Sequence, residues 1–188
     1  MGIFDFLKKN KNIENDNGFN EIYNDVSGFF RLEGYKKDGL RDGLWKESHI
    51  KNGTLVKEEN YKGGIRHGES KTFDSRGISQ EVNYKNGEKE GVETHYWIYP
   101  NKKSLVLFYV KGKQHGTQLC FWISGTFQSE RDYKNGEKDG IQKWYYKNGQ
   151  LGTKTNYIEG EITSKKCWDE NGNEIDEESF TGHLFGVQ

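Results

Sequence analysis

Aromatic residues recur along this chain at a nearly constant interval, and that recurrence constrains its fold more than any other feature. Tyr35, Tyr61, Tyr84, Tyr109, Tyr133, Tyr157 and Phe180 stand 26, 23, 25, 24, 24 and 23 residues apart. A fixed period in this range signals a repeat architecture, in which each copy is one supersecondary unit that buries its apolar side only against its neighbours. Glycines keep the same time. Pairs four residues apart follow the aromatics: Gly39 and Gly43, Gly64 and Gly68, Gly87 and Gly91, Gly112 and Gly116, Gly136 and Gly140. The sixth copy keeps Gly160 but has Ser164 where the second glycine would fall, which marks it as the start of a terminal cap.

The clearest copy, Tyr133 to Tyr157, contains Lys-Asn-Gly twice, at 134–136 and 147–149, each followed by residues that suit a strand. Asn-Gly between such runs is a strong hairpin signal, because both residues tolerate the positive φ of a tight turn joining twisted strands. Two turns and two strands per unit predict an all-β fold: an elongated, single antiparallel meander of repeated β-hairpins.

Composition supports that class. The apolar fraction is only 31%, but 11 Phe, 11 Tyr and 5 Trp let few residues cover a thin sheet, since each aromatic ring buries roughly 150–250 Å². The chain has no alanine and 24 glycines, which disfavours long helices. Its 28 Lys and Arg balance 29 Asp and Glu with the signs interspersed, so the basic stripe of a nucleic-acid binder is missing and no nucleic-acid partner is expected. Cys120 and Cys167 have no CxxC partner, which reads as a cytoplasmic protein with reduced thiols. No apolar run approaches the ~18 residues of a membrane span, so no stable membrane insertion is expected.

The pattern Tyr-x-x-Gly-x-x-x-Gly, then an aromatic strand, then Asn-Gly, resembles the bacterial variant of the MORN repeat found in the YwqK family of antitoxins. The resemblance covers roughly residues 35–180 and is strongest in YKNGEKEG at 84–91 and YKNGEKDG at 133–140. Departures are local: Pro100-Asn101-Lys102-Lys103 replaces one Asn-Gly turn, and the first unit has an extra residue before Gly39. The resemblance implies an array of MORN-like hairpins acting as the partner of a polymorphic toxin.

Residues 1–21 read as an N-terminal segment and linker, and 22–188 as the array with terminal caps. Within the first part, MGIFDFLKK fits a short amphipathic helix that packs Phe4 and Phe6 on the first sheet face, and the polar stretch 10–20 fits a linker. Residues 22–35 fit a divergent opening strand. Strands alternate their side chains between faces, so His49, Phe73, Phe121, Tyr145 and Trp168 form an aromatic column expected to be core. Ile50, Asp74, Trp122 and Tyr146 form a mixed column on the other face.

No nucleophile with a base, no pair of carboxylates in an apolar setting and no metal-ligand spacing is present. The chain is therefore expected to be no enzyme, with no catalytic or metal-binding residues and no cofactor. His67 and His115 occupy a turn position that carries Asp42, Glu90 and Asp139 in other copies, and read as solvated turn residues. Partner contact is expected from Trp122 and Tyr146, because Trp and Tyr are enriched in binding hot spots. The acidic run at 169–178 adds Asp169, Glu170, Asp176, Glu177 and Glu178, with no Lys or Arg after Lys166; such a run either blunts a sheet edge or docks on a basic partner. The expected function is that of an antitoxin or immunity protein that neutralises a cognate toxin by direct contact, as a monomer or in a one-to-one complex. The alternative is a non-enzymatic scaffold for protein or membrane association.

Overall fold

The structure is a computed structural model that describes residues 12–23 and 29–180. The expected helix over residues 1–9 lies outside the described residues. What is described is almost entirely strand, in two units, Met1–Lys89 and Glu90–Gln188.

The first unit is an antiparallel meander of β1 (Gly18–Tyr23), β2 (Phe30–Lys37), β3 (Leu40–His49), β4 (Leu55–Lys62), β5 (Ile65–Asp74) and β6 (Gly77–Lys85), each paired with the next. The second is built from β7 (Glu88–Tyr96), β8 (Lys103–Val110), β9 (Lys113–Gln114), β10 (Gly116–Phe121), β11 (Phe127–Lys134), β12 (Glu137–Tyr145), β13 (Leu151–Ile158), β14 (Glu161–Trp168) and β15 (Glu174–Ile175). Its strands pair in the order β7, β8, β10, β11, β12, β13, β14, β15, with β9 beside β8. A 3-10 turn, Glu177–Ser179, follows.

Two kinds of connection alternate. Asp38-Gly39, Gly63-Gly64, Asn86-Gly87, Lys111-Gly112, Asn135-Gly136 and Glu159-Gly160 are tight turns with positive φ at both residues, as at Asn135 (54°) and Gly136 (96°). This is the twist-matched geometry that Asn-Gly announces. Several of these turns bond to the strand that leaves an earlier turn of the same unit: Gly64 N–H donates to Arg41 O at 2.8 Å, and Gly136 N–H donates to Gln114 O at 2.8 Å. Asp42 Oδ2 accepts the Gly63 N–H at 3.1 Å, and Glu90 Oε2 accepts the Lys111 N–H at 2.7 Å.

At the other strand ends the loops are wider. Around Asn148-Gly149 only the glycine has positive φ. Gly149 N–H donates to Tyr146 O and Tyr146 N–H to Gln150 O, both at 2.9 Å, closing a type I turn with a bulge. The second Lys-Asn-Gly therefore differs from the first. Asn148 acts through its side chain: Oδ1 accepts the Gln150 N–H, and Nδ2 donates to Glu170 O at 3.0 Å.

Three expectations need correction. The stretch 10–20 is not wholly a linker, because β1 begins at Gly18 and Ile13 bridges Glu21. Asn20 is fully buried; its side chain accepts the Asn15 N–H and donates to the carbonyls of Asn15 and Gly18. Asparagines that look solvent-seeking here satisfy backbone groups instead. Phe180 closes no repeat. It follows the 3-10 turn and, at 9% exposure, joins Tyr146 and Cys167 in a small core flanked by Trp144 and Ile175. That placement reverses the assignment of the faces. Around Tyr146 its own face holds the core, whereas Phe121 and Tyr145 of the aromatic column, with the Phe127 ring between them, stay half-buried or exposed.

Elsewhere the buried band is mostly small and polar, with Ser48, Ser70, Ser129, Thr94, Thr153 and Thr155 all under 9% exposed. Trp45, 2% exposed, is the largest side chain in it, and its indole N–H donates to Tyr35 O at 2.9 Å.

Candidate partner-binding surface

The wide loops of the second unit lie along one edge and are joined in succession. Lys102 in the loop after β7 donates from Nζ to Ser124 O at 2.8 Å in the loop after β10. Lys147 in the loop after β12 places Nζ 5.7 Å from the centre of the Trp122 ring. Asn148 reaches Glu170 in the loop after β14. The residues expected to touch a partner fall on or near this edge but play unequal parts. Trp122 is half-buried, with its indole nitrogen covered and lacking a hydrogen-bond partner. Tyr146 is 8% exposed, packs edge-on against Trp144 at 4.7 Å, and donates its hydroxyl to Trp168 O at 3.0 Å. A buried, bonded phenol is core; the structure withdraws Tyr146 from the contact surface. Burial first, then the nearby carboxylates of Glu170 and Asp169, push its phenol above the usual value.

The acidic run divides as well. Asp169 organises its own loop: Oδ1 accepts the N–H groups of Asn171 and Asn173, and Oδ2 accepts the Asn173 side chain at 2.9 Å. Those bonds, the Asn173 amide foremost, hold its carboxyl below the usual range. Glu177 is engaged by Lys165, and Glu174 by Lys166 at 3.0 Å. Glu170, Asp176, Glu177 and Glu178 are exposed.

Sequence reasoning missed the apolar part of the edge. Trp97, Ile98, Tyr99, Ile123 and Phe127 are 38%, 59%, 68%, 57% and 43% exposed. The signal present was the replacement of Asn-Gly by Pro100-Asn101-Lys102-Lys103, in a loop that also holds Trp97, Ile98 and Tyr99.

The first unit carries a different polar array. Arg41 lies 4.5 Å from the Trp45 ring centre and 5.3 Å from that of Tyr61, and donates to the Tyr61 hydroxyl, which donates to Glu59 at 2.8 Å. Burial alone would raise the Glu59 pKa, but Lys57, Tyr61 and Arg66 outweigh it and leave the carboxyl below its ordinary value. Charges consumed so fully within the sheet brace it rather than present chemistry.

His67 and His115 are half-buried, each with Nδ1 covered and unbonded, so they are not the solvated residues expected. Among the described residues, no group of three or more His, Cys, Asp or Glu is placed to hold a metal ion, and no helix is long and apolar enough to cross a membrane.

Comparison with known families matches residues 66–86 and 138–159 to the MORN repeat variant, one match in each unit. Each match takes in two strands with the wider loop between them, β5 with β6 and β12 with β13, and ends on the first residue of a tight turn, so the chain carries MORN repeats. No curated protein matches the chain. Among solved structures, the crystal structure of TarM is similar over 65% of this chain at 11% identity and a TM-score of 0.26; the chain spans 19% of that structure's length, and so slight a likeness carries neither fold nor function.

Proposed function

We propose that the chain is an antitoxin or immunity protein that binds a cognate polymorphic or secreted toxin and blocks it by direct contact. It acts in the cytoplasm, as a monomer that forms a one-to-one complex and contributes surface rather than catalysis. The observation that carries this reading is the repeat itself: YKNGEKEG and YKNGEKDG resemble the YwqK-like antitoxins, and MORN repeat variants match in both units. An edge with exposed aromatic and charged side chains suits protein recognition.

Co-expression with the toxin encoded beside its gene tests the proposal. Cells should survive, and the two proteins should co-purify. Cells that die despite abundant folded protein, with no complex recovered, would refute it and leave the scaffold reading.

A further inference from the structure

We infer that the loop edge of the second unit, formed by residues 97–103, 122–127 and 147–150, docks a folded protein whose contact face carries an apolar recess rimmed by carboxylates. The inference rests on the antitoxin reading and names the chemistry of the partner's face.

Three observations converge on this edge. It exposes Trp97, Ile98, Tyr99, Ile123 and Phe127 in consecutive loops, whereas large apolar side chains scattered singly would need no explanation. These loops hold Lys102, Lys103 and Lys147 and no Asp or Glu, although the chain as a whole is balanced. The opposite ends of the same strands mix the two signs, with Glu137, Asp139 and Glu159 around a shallow depression beside Lys134, and Lys111, Lys113 and Lys138 in the same turns. Apolar side chains among fixed positive charges are complementary to an apolar recess bordered by negative ones.

The loops are also held in place. Lys102 bonds to Ser124, Lys147 lies over Trp122, and Trp97 N–H donates to Lys102 O at 2.8 Å. Such an edge suits a shaped counterpart, because little ordering is left to be lost on binding.

An anionic membrane would also attract lysines and interfacial aromatics. The neighbouring loop argues against it. Asn148 ties the basic loops to Glu170, which stands exposed. A uniformly anionic bilayer would repel that end of the edge, whereas a protein can oppose acid to Lys102 and Lys147 and a basic group to Glu170.

The test measures binding of the full chain to the toxin encoded beside its gene, by surface plasmon resonance. Ile98→Asp with Ile123→Asp should speed dissociation by about 100-fold. Lys102→Glu with Lys147→Glu should slow association by about tenfold at low salt. Thermal midpoints should stay unchanged; if the aspartates unfold the chain, Ile98→Ser with Ile123→Ser replaces them. Wild type that binds while all variants keep wild-type rates would overturn the docking surface and leave the antitoxin reading standing. Wild type that does not bind would end both. Sedimentation with vesicles of phosphatidylcholine and phosphatidylserine closes the other route: pelleting of wild type but not of the Ile98/Ile123 variant would assign the loops to a membrane and overturn the inference.

Discussion

The indole of Trp45 lies directly on Gly34, its partner across β2 and β3: a Cβ at Gly34 would fall 2.5 Å from ring atom Cδ2. Gly152, at the register shift between β12 and β13, meets the Trp144 ring as closely, since a Cβ there would fall 2.5 Å from Cε3. In both units a glycine without a side chain makes room for a tryptophan in a sheet whose buried band is otherwise small and polar.

Gly34→Ala is therefore expected to destabilise the protein by ~1–3 kcal/mol, the usual range for overpacking a filled site. Urea denaturation read by tryptophan fluorescence measures it. A loss below about 0.5 kcal/mol, the level of a neutral surface change, would mean that the Trp45 ring moves aside freely.

The two Asn-Gly turns should respond differently. Gly136→Val should cost more than ~1 kcal/mol, because a β-branched residue is strongly disfavoured at its φ of 96°. Asn148→Ala removes two hydrogen bonds but no positive φ, and should cost about 0.5–1.5 kcal/mol. It should also speed amide exchange at Gln150, whose N–H loses its acceptor. Slow exchange at Gln150 in the variant would contradict the role assigned to the Asn148 side chain.

These contrasts show what the sequence made legible. Tyr-x-x-Gly and Asn-Gly report local backbone geometry, so the period, the strands and the tight turns could be read without tertiary knowledge. Tyr146 could not be placed in the same way. Alternation shows that it faces opposite to Tyr145, but not which face is covered, and the cover comes from Phe180, a residue that kept the repeat spacing while leaving the repeat. Asn20 misled for a related reason, since polarity suggests solvent until the backbone groups around it are known. Of the expected contact residues, Glu170, Asp176, Glu177 and Glu178 are exposed as a contact requires, Trp122 is half-buried under Lys147, and Asp169 serves its own loop. Ile98 and Ile123 lie outside the repeat pattern, and only the missing Asn-Gly at 100–103 marked one of their loops.

Alkaline pH should loosen the second unit through Tyr145. Burial, followed by its 2.7 Å hydrogen bond to Glu130, pushes the phenol from 10.0 up to about 12. A raised folded-state value means that the stabilisation is complete below pH 10 and is lost as pH rises from 10 through about 12. Stability measured across that window should fall less steeply in Tyr145→Phe than in wild type. Equal slopes would show that Tyr145 ionises as it does in the unfolded chain.

The acidic run is expected to act on rates. Because Lys165 already holds Glu177, the cleaner reversal is Asp176→Lys with Glu178→Lys. If the run meets a basic surface on the toxin, this variant should associate about three- to tenfold more slowly at low salt, with a weaker salt dependence and an unchanged thermal midpoint. Unchanged association would assign the run to protecting the sheet edge instead.

The proposed antitoxin function requires stoichiometric neutralisation. Titrating the toxin with the purified full chain, while following heat and residual toxin activity together, tests it most directly. Activity should fall in proportion to added protein and vanish at one equivalent, where the heat also saturates. Full activity in the presence of a molar excess, with no heat of binding, would contradict it.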